Sequence, residues 1–323
     1  MPPFLSKLTM YQPHHYYEEL NKKEEERMIN EMLLDSCYVD PNEEISHPPI
    51  AISLGETQYE TKDGLVSYPI PIGTYGNISF IQAPPKHKKT FLVTLLSAAY
   101  LGGSHKLYTG GIEGHREGKC VYHFDTEQGS FHAQRVFQRV LRMTELTNEC
   151  YQTYALRTLT VPERLRAIEH AVNSADNLGL LIIDGVADLV QDVNNIEESN
   201  AVVQKLMKWS EQKQCHILTV IHTNFNSDKP TGHLGSALEK KAETQIHLKK
   251  SEMDDSIINV SCKSSRSKSF DDFSFMVNKN NLPLVLNDKI NFKERELVSY
   301  EDIFGNTDKT DSASVSADNE VRA

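Results

Sequence analysis

Asn77–Leu101 reads NISFIQAPPKHKKTFLVTLLSAAYL. Its first six residues (NISFIQ) are apolar enough for a buried strand, and Thr90–Leu101 is a nearly unbroken apolar run long enough for a buried helix. Between them, Ala83-Pro84-Pro85-Lys86-His87-Lys88-Lys89-Thr90 aligns with the phosphate-loop pattern GxxxxGK[ST]. Lys89 and Thr90 stand where that pattern needs a lysine for the phosphates and a hydroxyl for Mg²⁺. Ala83 and Lys88 replace both glycines, and Pro84 and Pro85 lack the N–H groups that a loop aims at phosphate. The competing reading is a basic turn capped by Thr90.

Three later strand ends bear on that choice. Lys119–Asp125 (KCVYHFD) reads as a strand ending in Asp125-Thr126-Glu127-Gln128, and Glu127 is placed to polarise a water. Gly179–Asp184 (GLLIID) is an apolar run of the kind buried in parallel sheets. It delivers Asp184 to a cation shell, with Asp188 as a weaker rival. Cys215–His222 (CHILTVIH) ends at His222-Thr223-Asn224. Residues two apart share a strand face, which predicts that His222 and Asn224 both look into the crevice and sense a γ-phosphate. Each carboxylate or histidine has an ordinary alternative as a solvated strand end or turn cap. Their joint occurrence, in order and each at a strand end, is what lifts the phosphate-loop reading.

The intervening segments alternate. Ser130–Leu146 and Pro162–Ala175 read as helices, with Tyr154–Thr158 as a short strand between them. Glu197–Gln212 is a helix with Val202, Val203, Leu206 and Met207 on one face, and Trp209 near it as packing. After Gly235 the pattern changes to antiparallel strands at Thr244–Lys249, Ile257–Lys263 and Phe270–Val277, ending at Leu282–Pro283. The expected fold class is therefore α/β: a mainly parallel sheet flanked by helices, with an antiparallel C-terminal extension.

Composition limits the rest. The chain has 323 residues, 39% of them hydrophobic and five of them cysteines that never form a CxxC pair. Disulfide frameworks and zinc sites are not expected, nor is a membrane span or signal peptide, so the reading is a cytoplasmic protein. The net charge of −11 sits in the flanks. Residues 1–45 carry ten acids and four bases, and residues 301–323 six acids and two bases, so the core can still present basic surface. The expected organisation is a charged helical extension over 1–45 with a helix at Glu18–Leu34, a main domain over 46–290 whose lead-in (35–75) is loose with short strands, and an acidic, disordered tail over 291–323. His14 and His15 lack companions for a metal.

The stations together resemble the RecA-like P-loop ATPases, the superfamily that includes plasmid replicative helicases and DnaB-like helicases. More closely, GNISFIQ…KKTFLVTLL, FDTEQGSFHAQRVFQRV, LLIIDGVADLV and GHLGSALEKKAET are similar to the AAA-labelled, RecA-fold ATPases of Bacteroidetes mobile elements, across roughly residues 70–285. In that group the second loop glycine is often not kept. The resemblance implies ATP and Mg²⁺ as ligands. Ala83, Pro84, Pro85, Lys86, His87, Lys88, Lys89, Thr90 and Phe91 would then line the nucleotide, and Thr90 and Asp184 would hold the metal. It further implies a homo-oligomer, ring or filament, in which Arg266, with Lys263 or Lys268 in the basic stretch Cys262–Lys268, reaches the γ-phosphate of the next subunit. The alternative for that stretch is a basic hairpin turn.

Residues 226–238 correspond to a loop that lines a nucleic-acid channel in such proteins. Here they offer Lys229 and His233, with Lys240 and Lys241 beyond, and only Phe225 for stacking, so single-stranded DNA is a thinly marked partner. Ser236 and Glu239 match a capping box, which would start a helix at Gly235-Ser236. The functional expectation is an oligomeric Mg²⁺-dependent ATPase coupled to DNA, as a helicase or mobilisation motor. Two alternatives stand beside it: a nucleotide-binding scaffold with little or no hydrolysis, and a single-stranded DNA-binding module that ignores ATP.

Overall fold

The computed structural model describes residues 13–61, 64–102, 109–144, 148–224 and 227–286. They divide into two units between His47 and Pro48. The first contains one helix, α1 (Pro13–Ser36), longer than the expected Glu18–Leu34. The tail over 291–323 lies outside the described residues.

The second unit begins with β1 (Ile50–Thr61) and β2 (Gly64–Thr74), which pair antiparallel. A long hairpin therefore replaces the loose lead-in read from the sequence. Pro69 and Pro71 disguise it, because proline usually argues against a strand. Both sit on β2, the edge strand of a three-stranded sheet in which β1 is central, and an edge tolerates missing donors. Next come β3 (Ile78–Ala83), α2 (Lys89–Leu101), β4 (Ile112–Gly114, the third strand of the small sheet), β5 (Cys120–Asp125) and α3 (Ser130–Thr144). β6 is Tyr151–Ala155, three residues earlier than expected, because it must lie level with β5, where Val121 faces Tyr151 and Asp125 faces Ala155. α4 (Val161–Ser174) starts with a capping box from Thr160 and Glu163. β7 (Leu178–Asp184), α5 (Ile196–Lys213) and β8 (His216–His222) follow.

α6 is Gly232–Lys241 with Thr231 as its N-cap residue. The helix therefore starts before Gly235-Ser236. The Thr231 N–H and hydroxyl both donate to the His222 carbonyl and fix the entry point, while the Ser236 hydroxyl donates back to the Gly232 carbonyl inside the helix. The chain closes with β9 (Thr244–Lys250), β10 (Ile257–Ser265), β11 (Phe273–Val277) and β12 (Pro283–Leu286). β12 pairs with β11, so the antiparallel run continues beyond Pro283.

The main sheet has nine strands in the order β12-β11-β10-β9-β3-β8-β7-β5-β6. From β9 to β6 all pairs are parallel, and from β9 to β12 all are antiparallel. This is the mainly parallel α/β sheet with an antiparallel C-terminal extension expected from the sequence. One core lies on the α2 and α3 face, around Leu95, Tyr100, Val136 and Val140. The other lies on the α4, α5 and α6 face, around Ile168, Leu206, Trp209 and Leu238. Met207, expected to join the buried face of α5, is 39% exposed. Register brings the functional strand ends level: Ala83 pairs with His222, and Asp184 with Asp125. In open α/β sheets, the crevice beyond the carboxyl ends of such strands is where ligands bind.

Candidate functional site

The loop from Ala83 to Thr90 has no glycine, yet it holds glycine-like backbone. Lys86 has φ 64° and Lys88 φ 58°. Both lie in the left-handed region that non-glycine residues enter at a cost. Lys88, at the second glycine position, is the N-cap residue of α2 and makes no side-chain cap. Its ammonium instead donates to the Ser256 carbonyl at 3.3 Å, across the turn between β9 and β10. Pro84 and Pro85 have no N–H to offer, but among the described residues no acceptor takes the backbone N–H groups of Lys88 through Thr90. Three donors at the start of a helix, beside its positive dipole end, form a cradle suited to phosphate oxygens. His87 turns its ring back to the Pro85 carbonyl, 3.0 Å away. Phe91 lies under the Arg139 guanidinium, 4.0 Å from it.

Lys89 is buried, and its ammonium donates to the carbonyls of Ala83 and Pro84 at 3.1 Å each and to Nδ1 of His222 at 2.8 Å. Burial lowers its pKa to about 8, against the opposing pull of Glu127 and Asp184. Asp184 ends β7 fully inside the protein. Burial, then repulsion from Asp125 and Glu127, raises its pKa to about 7, while the Thr90 hydroxyl and Lys89 pull the other way. Its Oδ2 is buried with no hydrogen-bond partner. A buried carboxylate oxygen left bare beside a hydroxyl and a phosphate cradle fits a hard divalent cation. Among the described residues no cluster of three or more His, Cys, Asp or Glu side chains forms a metal cage. Mg²⁺ does not require one, because it keeps waters and takes substrate oxygens.

Across the crevice, Asp125 organises the turn after β5. Its carboxylate accepts from the backbone N–H groups of Glu127 and Gln128 at 3.1 and 2.8 Å, and from the Gln128 side chain at 2.8 Å. The Thr126 hydroxyl lies within hydrogen-bond reach of the carbonyls of Asp184 and Gly185 and, at 2.8 Å, of the Asp188 carboxylate. Asp188 is thus tied to Thr126, and Asp184 is the carboxylate left bare. The turn projects Glu127 into solvent reach, with Oε1 3.5 Å from Nε2 of His222. That contact, more than the charge of Lys89, holds the Glu127 pKa below the usual carboxylate range. Gly185 leaves room for this glutamate, since a Cβ there would stand 2.6 Å from Oε1.

Asn224 does not share the crevice face with His222. β8 stops at His222, so strand alternation no longer applies, and Asn224 closes its own loop on the carbonyls of Lys229 and Pro230. Arg266, Lys263 and Lys268 make their hydrogen bonds to groups other than Lys89. Arg266 donates to the Lys241 carbonyl, Lys263 to the Asp228 carbonyl, and Lys268 to the Thr57 hydroxyl. Phe225 is outside the described residues.

Arg139 escaped the sequence reading. It lies on the apolar face of α3, 6% exposed, with Nε and Nη1 unpartnered. Burial lowers its pKa to about 10. The available signal was a lone arginine in register with Val136, Val140 and Met143.

A family model described as an AAA domain matches residues 70–228. No curated protein matches the chain. Among solved structures, a KaiC-like protein from the hyperthermophilic archaeon Pyrococcus horikoshii is 13% identical, with a TM-score of 0.47, covering 66% of this chain and 91% of its own. The phosphate loop, the Asp125–Glu127 turn, Asp184 and His222 all fall inside the segment that matches the AAA-domain model.

Proposed function

We propose that this chain hydrolyses ATP with Mg²⁺, acts as a homo-oligomer, and couples hydrolysis to single-stranded DNA. The observation that carries the reading is the convergence of Lys89, Thr90, Glu127 and Asp184 around the free N–H groups at the start of α2. The N–H groups of Lys88 to Thr90 bind phosphate oxygens, and Lys89 neutralises the β- and γ-phosphates. Thr90 and Asp184 hold the cation, which supplies charge neutralisation between the phosphates when bound. Glu127, whose pKa its histidine partner lowers further below neutrality, accepts a proton from the attacking water. Positioning and preorganised electrostatics account for most of the effect in such a site.

Oligomerisation enters through the basic stretch. Arg266, Lys263 and Lys268 are all exposed, each with a hydrogen bond to its own chain and none to Lys89, and exposed basic groups suit contact with a neighbouring copy. A planar, permanently charged guanidinium fits the role of Arg266. DNA coupling rests on Lys229 and His233 in and beside the loop after His222. Work as a helicase or mobilisation motor is the finest grain of this reading. One observation favours the non-hydrolysing alternative: the three donors of Lys89 are already matched by three acceptors.

Steady-state ATP hydrolysis, with and without single-stranded DNA, separates the readings. The parent is expected to turn over and to accelerate with DNA. Glu127→Gln should lose about a hundredfold or more in turnover while still binding nucleotide. Equal rates in parent and Glu127→Gln contradict the assigned base, and indifference to DNA contradicts the coupling.

A further inference from the structure

Lys89 makes a set of contacts that a phosphate must disturb. Its ammonium has three N–H donors, and they meet Ala83 O, Pro84 O and His222 Nδ1. The two carbonyls belong to the loop itself, and the Ala83 carbonyl also accepts from the Thr223 N–H at 3.2 Å. The imidazole is the one acceptor free to leave. An ammonium can only donate, so Nδ1 of His222 must accept, and the ring proton sits on Nε2. Nε2 stands 3.5 Å from Oε1 of Glu127. A single neutral histidine in one tautomer thus links the phosphate lysine to the candidate base.

We propose that His222 is a resting-state clasp: it holds Lys89 back from the phosphate cradle and steers Glu127, and a phosphate that draws Lys89 away hands the imidazole over to Glu127. This rests on the nucleotide-site reading above and adds to it a positioning residue through which phosphate occupancy reaches the base. The hinge is local. The His222 carbonyl is fixed by the N–H and hydroxyl of Thr231 at 2.9 and 2.8 Å, while the side chain is 36% exposed. The ring can therefore move or be removed without unpicking β8 or α6. Gly185, which leaves the space for Glu127 Oε1, lets the carboxylate follow.

A clasp has an unusual sign in binding experiments. A residue that only senses the γ-phosphate adds affinity for ATP and none for ADP. A clasp subtracts affinity from both, because its contact with Lys89 is lost on binding. Calorimetric titration of Mg·ADP, which has no γ-phosphate, isolates the clasp. His222→Ala is expected to bind Mg·ADP about tenfold tighter than the parent, the size of one charge-assisted hydrogen bond. The same variant should hydrolyse ATP about tenfold more slowly, because Glu127 loses its guide. Unchanged or weaker Mg·ADP binding by His222→Ala overturns the clasp. Absence of any Mg·ADP or Mg·ATP binding by the parent overturns the nucleotide site itself, so the two failures are distinct. Nitrogen NMR of the parent imidazole provides a check that needs no variant. The free protein should show the Nε2–H tautomer, and saturating Mg·ADP should shift the Nδ1 resonance. An Nδ1–H tautomer, or no shift, overturns the clasp as well.

Discussion

The two walls of the crevice are built on opposite plans. On the loop wall, between Ala83 and Thr90, the residues depart from the usual pattern and the backbone keeps it. Lys86 and Lys88 adopt left-handed conformations that glycine would adopt freely, and the N–H groups of Lys88 to Thr90 have no acceptor among the described residues. On the carboxylate wall the residue types are the expected ones, and the side chains stand under electrostatic load. Asp184 is buried beside two other carboxylates with a bare oxygen, and Glu127 stands against His222, which lowers its pKa. A phosphate cradle is a property of main-chain geometry, so its side chains are replaceable. A cation ligand and a base are properties of single atoms, so theirs are not.

Substitutions on the two walls should therefore differ sharply in effect, whatever their size. Gly185→Ala adds one methyl to the carboxylate wall. Its Cβ would meet Glu127 Oε1 at 2.6 Å, and the flexible glutamate would give way. Turnover should fall about tenfold with little change in melting temperature, as expected when a catalytic group is displaced without disturbing the fold. A fall in stability with unchanged turnover would show that Glu127 is not held where the structure places it.

Lys88→Gly takes a whole side chain off the loop wall. Relief of the left-handed strain should raise stability by about 1 kcal/mol in a denaturant titration. That gain is trimmed by the entropy of glycine and by loss of the contact with the Ser256 carbonyl. Nucleotide affinity should stay within about twofold of the parent. A large loss of affinity would mean that the Lys88 side chain, and not the backbone it caps, shapes the cradle.

Much of this arrangement can be read in the sequence, for identifiable reasons. The parallel strands are continuous apolar runs ended by a polar residue, so β3, β5, β7 and β8 fall within a residue or so of expectation. The hairpin β1–β2 is hidden because an edge strand can carry Pro69 and Pro71. The start of α6 is misplaced because Ser236-x-x-Glu239 imitates a cap, whereas tertiary bonds from Thr231 to the His222 carbonyl decide the entry point. In the site, Lys89, Glu127, Asp184 and His222 are recognisable by their positions at strand and helix ends. Two features are not. The left-handed angles at Lys86 and Lys88 leave no mark in residue type, since glycine is what would advertise them. The link from Lys89 through His222 to Glu127 joins three elements far apart in the chain and exists only once the sheet order brings β3, β8 and β5 to one crevice.

The central claim is that Lys89, at the start of α2, is the phosphate lysine of a nucleotide site. Calorimetric titration of Mg·ATPγS into the parent and into Lys89→Ala tests it most directly. The parent should show saturable binding, and Lys89→Ala should lose about a hundredfold or more in affinity while keeping the parent melting temperature within a few degrees, because its ammonium contributes charge to the ligand and, to the fold, contacts with two loop carbonyls and the His222 imidazole. Equal affinity in the two proteins would contradict the account.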